Sequence, residues 1–182
     1  MHRRRLLRAL APVTGAVAGC TAIEPGATTT PAPTPHEPAY DAHTFDHADL
    51  GGAVVEGGIA YPEAFDTRRY VALLTTAADR DRIRLDLVRR ADPTAAEFVA
   101  ETQFDAGYLV VYQEFPLSSE PDYRVTEVVR DGAAVRVAID NSSEYGTDDI
   151  TVETVLVRVA REGLAPPERA VVTTEEGVSA ST

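Results

Sequence analysis

The residues with chemical potential in this 182-residue chain are few apart from its acids: four histidines, one cysteine and 29 Asp or Glu. His43, Asp46, His47 and Asp49 form the one histidine-plus-carboxylate cluster. At spacings of three and four these side chains would meet on a helical turn, in the donor types that hold a divalent cation. The plainer alternative is a solvated acidic stretch. Glu97, Glu101 and Glu114 flank apolar residues and are the carboxylates to weigh for paired acid–base hydrolysis; otherwise they are surface charge. Tyr108, Tyr112, Tyr123 and Tyr145 would line a groove or, as strand tyrosines commonly do, pack half-buried.

Other chemistries lack their parts. A serine triad needs a base and an orienting acid beside the nucleophile. The histidines are His2, His36, His43 and His47, none in a predicted core strand, and no Gly-x-Ser-x-Gly occurs. Gly51-Gly52 and Gly57-Gly58 do not form a phosphate loop, and the chain has no lysine to complete one. No catalytic residue, metal ligand or cofactor is therefore assigned. Cys20 is alone, so it makes no intramolecular disulfide.

Cys20 has a different role. Arg3-Arg4-Arg5-Leu6-Leu7 opens the chain, and a short, weakly apolar run from Ala9 to Gly19 follows Arg8. A basic region, a short apolar region and a small-residue cleavage end have the layout of an export signal. The run is shorter than the roughly 20 apolar residues that span a bilayer, and it contains Pro12. The arginine stretch resembles a twin-arginine signal. Val17-Ala18-Gly19-Cys20 resembles the lipobox of bacterial and archaeal lipoproteins. That resemblance implies cleavage before Cys20, lipid on its sulfur and a mature chain on the extracellular face of the cell membrane. Stable anchoring would take two acyl chains, and a lipidated sulfur excludes cysteine catalysis.

The mature chain would carry 13 positive charges, all arginine, against 29 negative ones, a surplus of 16. That balance argues against binding nucleic acid or anionic headgroups through the domain surface. It suits concentrated salt, where the screening length falls to about 3 Å at 1 M. GC-rich codon usage would raise Arg and Ala without explaining the acids. Together with the first twenty residues, the charge pattern resembles an exported lipoprotein of a halophilic archaeon. The resemblance bears on compartment and lifestyle, and implies no activity.

The elements that must position these residues begin after a stalk. Residues 1–19 read as signal, and 20–38 as the lipidated cysteine with a Thr/Pro-rich linker extended at about 3.1 Å per residue. A single globular domain is predicted over 39–176, with a frayed tail at 177–182. Ala53–Glu56 is a short strand candidate, Tyr70–Thr75 a buried strand and Tyr108–Phe115 a strong strand. Thr76 and Asp79 are spaced like a capping box. Residues 77–91 fit both a strand and a helix, and the cap favours helix. Asp92-Pro93 opens a second helix with Phe98 and Val99 inward. Asp131-Gly132 joins alternating runs in a hairpin. Asp140–Asp149 is a polar loop, Ile150–Val159 a central strand, and Ala170–Thr173 the last strand. The predicted class is α+β, mainly antiparallel and sandwich-like, with one or two short helices between early strands and a later β-meander.

From Phe104 to Thr174 this order is loosely similar to a small β-domain of exported protease-complex lipoproteins. Of that family's Gly-Gly-Tyr loop, only Tyr123 is matched, after Ser118-Ser119-Glu120-Pro121-Asp122. The leading functional expectation is a non-catalytic binding module for an extracellular protein or ligand. A small carboxylate-dependent hydrolase and a metal-binding lipoprotein are the alternatives.

Overall fold

A computed structural model describes residues 34–61, 68–115, 123–140, 151–175 and 177–181. The signal, the lipobox, most of the stalk, Ser118–Asp122 and the 141–149 loop with Tyr145 lie outside them. The elements run β1 (Tyr40–His47), β2 (Arg69–Leu74), a 3-10 turn (Asp79–Arg82), α1 (Leu85–Ala91), α2 (Pro93–Ala100), β3 (Gly107–Glu114), β4 (Arg124–Asp131), β5 (Ala134–Asp140), β6 (Val152–Ala160), β7 (Arg169–Thr174) and β8 (Gly177–Ala180).

Two four-stranded sheets form a sandwich, in the orders β1-β6-β3-β2 and β4-β5-β7-β8. All strand pairs are antiparallel except β5 with β7. The helices cover the outer face of the first sheet, so the domain is a mainly antiparallel α+β sandwich. This layering explains the two least patterned sequences. β3 and β6 are central strands with apolar partners on both faces. Leu109, Val111 and Leu156 pack towards the helices with Leu87, Val88 and Val99. Tyr108, Val110, Tyr112, Val155, Val157 and Val159 pack towards the second sheet with Val128, Val137 and Val172. Gly107 lets β3 start close to its neighbour: a Cβ there would lie 2.8 Å from the Val159 carbonyl oxygen.

The helical starts follow from side-chain chemistry. Asp79 Oδ2 accepts from the Thr75 and Thr76 N–H groups, both at 2.9 Å, and Thr76 Oγ1 accepts from Asp79 N–H at 3.1 Å. This reciprocal box commits the ambiguous 77–91 segment to a 3-10 turn and α1. Burial pushes the Asp79 carboxyl up, but the hydrogen bonds from Thr75 and Thr76 outweigh it and hold it below its ordinary value. Asp92 caps α2 by accepting from Thr94 N–H at 2.7 Å and Ala95 N–H at 3.2 Å, and Pro93 fixes the first helical φ. Phe98 and Val99 turn inward as expected.

Asp92 Oδ2 also takes His43 Nε2 at 2.8 Å, which ties α2 to β1. We predict that Asp92→Ala lowers unfolding stability by about 1–2 kcal/mol, the loss typical of an N-cap. Asp92→Asn, which can still cap, should lose well under half of that. Denaturant midpoints with unchanged slope measure both; an Ala variant as stable as the parent would contradict the assignment.

Four expectations are corrected. Ala53–Glu56 forms no strand, only a single bridge between Val55 and Ile83, because glycine pairs on both sides interrupt an extended run. The later strands are no meander. β6 leaves the hairpin of β4 and β5 to enter the first sheet, and β7 returns beside β5, since the doubly apolar β6 is buried best between two neighbours. The predicted frayed tail contains β8, paired along β7 from Thr174↔Gly177 to Val171↔Ala180. Finally, the expected linker reaches into the fold: His36 exchanges both backbone hydrogen bonds with Arg130, at 3.0 and 2.8 Å, covering part of the β4 edge. The Asp131-Gly132 hairpin forms, with Gly132 at φ 57° as first turn residue.

Candidate functional site

The histidine cluster is taken apart by β1. Residues two apart share a face of a strand, so His43, Phe45 and His47 face the helices and Asp46 faces the other way. Asp49 turns back to accept from Gly51 N–H at 2.9 Å. His43 and His47 therefore lie on an edge strand, β1, that was not predicted. Among the described residues, no group of three or more His, Cys, Asp or Glu is placed to hold a metal ion. His43 is held by Asp92, and its ring lies 5.9 Å from that of Phe98. The Arg158 guanidinium sits 4.5 Å above the same Phe98 ring. His47 is 4% exposed; burial lowers its pKa, partly offset by the Ala48 carbonyl and Asp46.

The carboxylate candidates separate sharply. Glu97 and Glu101 are exposed on and beside α2. Glu114 is only 2% exposed, which overturns its reading as surface charge. It ends β3 on the face of Tyr108, Val110 and Tyr112, which looks into the space between the sheets. Its Oε2 accepts from Tyr112 Oη and Tyr123 Oη, both at 2.8 Å, and its Oε1 from Arg69 Nε at 2.8 Å. Each partner comes from a different place: Tyr112 from the same strand, Arg69 from β2, and Tyr123 from the residue preceding β4 in the other sheet. Glu153, also buried, stands directly opposite Glu114 in the β3–β6 register and accepts from Thr151 Oγ1 at 3.2 Å.

These contacts set the electrostatics. Burial pushes the Tyr112 and Tyr123 phenols well above their ordinary pKa, and the neighbouring Glu114 charge and its hydrogen bonds push further. Both phenols stay protonated donors. Beside them on the helix face, Gln113 is fully buried; its Oε1 accepts from Ile59 N–H at 3.0 Å, and its Nε2 donates to Thr154 Oγ1 at 3.2 Å. Chemically, this end of the sandwich is a polar tie: a carboxylate that accepts from two phenols and a guanidinium inside the core, with a second carboxylate facing it.

The tyrosines expected to line a groove or pack half-buried go deeper, with Tyr108, Tyr112 and Tyr123 all buried. Among the described tyrosines, Tyr40, which sequence reasoning passed over, is the exposed one at 38%. It lies between two surface concavities. A groove of about 620 Å³ runs between residues 37–40 and Thr126–Val128 of the β4 edge, with Glu162 at its wall. A cleft of about 340 Å³ on the other side is lined by Asp41, Glu101, Gln103 and Arg158.

At the opposite end of the sandwich from Glu114 lie Tyr108 and Arg130. Burial raises the Tyr108 phenol to about 12, with Arg130 lowering it and Glu162 raising it to smaller extents. No helix among the described residues is long and apolar enough to cross a membrane. The sequence matches no known family model, and no curated protein or solved structure matches the chain.

Proposed function

We propose that this chain is an exported lipoprotein, anchored through lipid on Cys20 to the extracellular face of a halophile's cell membrane. Its sandwich is a non-catalytic module that binds an extracellular partner. The observation that carries the binding-module reading is the fate of Glu114. It is the one proposed acid–base carboxylate that folding draws into the core, and its oxygens are engaged by Tyr112, Tyr123 and Arg69. A general acid or base must exchange a proton with substrate, whereas Glu114 is sealed between the sheets. Accessible concave surface lies instead in grooves such as the two flanking the exposed Tyr40, a residue type that contributes strongly to interfaces. The acid surplus of the mature chain supports the compartment.

Two measurements test the proposal. Mass spectrometry of material from the native membrane should show a chain beginning at Cys20 with acyl mass on that residue; a full-length chain with a bare thiol refutes the anchor. A photo-crosslinker at Tyr40 on intact cells should give one dominant adduct that a crosslinker at Glu97 does not. Turnover of glycosides, esters or peptides, abolished by Glu114→Gln in protein that remains folded, would establish the hydrolase in its place.

A further inference from the structure

We propose that the smaller cleft beside Tyr40 binds a neutral sugar ring, either free or at the end of a glycan chain. The proposal rests on the binding-module reading above and names a ligand class for one of its grooves. The cleft has a volume of about 340 Å³, at the small end of small-molecule sites, which suits a single ring. It lies where β1 and β3 start and β6 ends, beside the turn that leads from α2 into β3. Asp41, Glu101, Gln103 and Arg158 supply its polar side chains, and the small residues Ala106, Gly107 and Ala160 leave it open. Asp41 and Arg158 stand directly opposite each other in the β1–β6 register, and Arg158 Nη2 donates to Asp41 Oδ2 at 3.0 Å. The same guanidinium lies 4.5 Å from the Phe98 ring centroid, so it is held from two sides. The turn that carries Gln103 is also fixed: its carbonyl accepts from Ala106 N–H at 3.1 Å and from Gly107 N–H at 2.8 Å. Glu101 and Gln103 are exposed and within reach of a ligand.

These side chains mix groups that only donate with groups that only accept. Arg158 donates, the Asp41 and Glu101 carboxylates accept, and the Gln103 amide does both. An anion would meet two carboxylates. A cation would compete with Arg158, which already supplies the counter-charge of Asp41. A hydroxyl both donates and accepts. Adjacent hydroxyls on one ring therefore suit all four side chains without bringing a like charge to any of them. Ala106 and Ala160 offer methyl groups to the C–H edges of the ring. Uncharged recognition also fits the solvent inferred from the acid surplus. Ionic attraction is screened beyond about 3 Å at 1 M salt, whereas a hydrogen bond to a neutral hydroxyl acts only at contact.

Saturation-transfer NMR on the mature lipoprotein, in detergent and concentrated salt, tests this. The probes are neutral pentoses and hexoses, free and as the terminal unit of oligosaccharides. At least one neutral ring should receive saturation from the protein. Gln103→Ala should weaken its binding about five- to tenfold. Ala106→Trp, which fills the cleft from an exposed position, should abolish it, and both variants should keep the parent's circular dichroism. Tighter binding of the terminal sugar than of the free one marks a glycan as the source, and equal binding marks the free sugar. The uronic acid and the amino sugar derived from the bound ring should each bind less tightly than the ring itself. Absence of saturation on every neutral ring overturns the proposal. So does a preference for the amino sugar that fades as salt is added, or a signal that both variants leave unchanged. The wider reading fails differently. A single protein adduct at Tyr40 with no sugar bound removes this ligand and keeps the binding module. Cleavage of a bound oligosaccharide keeps the ligand and removes the non-catalytic module.

Discussion

Replacing Glu114 with alanine should lower the unfolding free energy by about 3–5 kcal/mol, the range for breaking a buried charge pair by removing one partner. Against a total of roughly 5–15 kcal/mol for a domain, this is a large share from a single side chain. The reason lies in what remains. Tyr112 and Tyr123 would become buried hydroxyls without their acceptor, and Arg69 would lose its carboxylate. Glu114→Gln keeps the volume but removes the charge and turns an amide towards a donor, so about 1–3 kcal/mol should be lost. Tyr123→Phe removes the one hydroxyl arriving from the second sheet and should lose about 1–2 kcal/mol. A double-mutant cycle between Glu114→Ala and Tyr123→Phe should return a coupling of at least about 1 kcal/mol. Denaturant midpoints for Glu114→Ala matching the parent would show that the tie contributes nothing to holding the sheets together.

The sequence pattern made that tie partly legible. A period of two from Tyr108 through Val110 and Tyr112 places Glu114 on the same inward face, and the run offers no turn residue before it. Reading Glu114 as surface charge gave weight to residue type over register. What the pattern could not supply was the partner: Arg69, Tyr112 and Tyr123 meet at Glu114 only through pairing across two sheets. The caps at Thr76–Asp79 and Asp92–Pro93 were legible because their hydrogen bonds close within a few residues. β3 was legible as a strand from its apolar run, and β6 as a central strand because its two faces do not separate into polar and apolar. The crossing of β6 between sheets was not, since alternating strands joined by loops are equally compatible with a meander. Nor was the split of His43, Asp46 and His47, which depended on whether residues 40–47 adopt period two or period 3.6.

The alkaline limb of stability should be unusually steep. Three phenols, Tyr108, Tyr112 and Tyr123, have folded-state pKa values raised above the ordinary 10, by burial first and, for the latter two, then by the Glu114 charge. A raised folded pKa means that the native state holds the proton more tightly than the unfolded chain. The stabilisation is complete below pH 10 and is lost as pH rises towards the folded values, the lowest of which is about 12. Each such group contributes a slope of about 1.4 kcal/mol per pH unit, so three together approach 4 kcal/mol per unit in this window. The loss accumulated across this window is a substantial share of the roughly 5–15 kcal/mol that holds a domain folded. The chain has no lysine and no tryptophan, so lysine titration does not intrude and tyrosinate absorbance is read without an indole background. Ionisation of the three buried phenols should appear as one cooperative step, coincident with loss of the β circular-dichroism signal between pH 10 and 12. Tyr123→Phe, with one raised phenol fewer, should flatten that slope by about a third even though the variant starts out less stable. If the phenols instead ionised gradually while the β signal persisted, Glu114 would not be buried among neutral phenols, and the polar tie between the sheets would lose its basis.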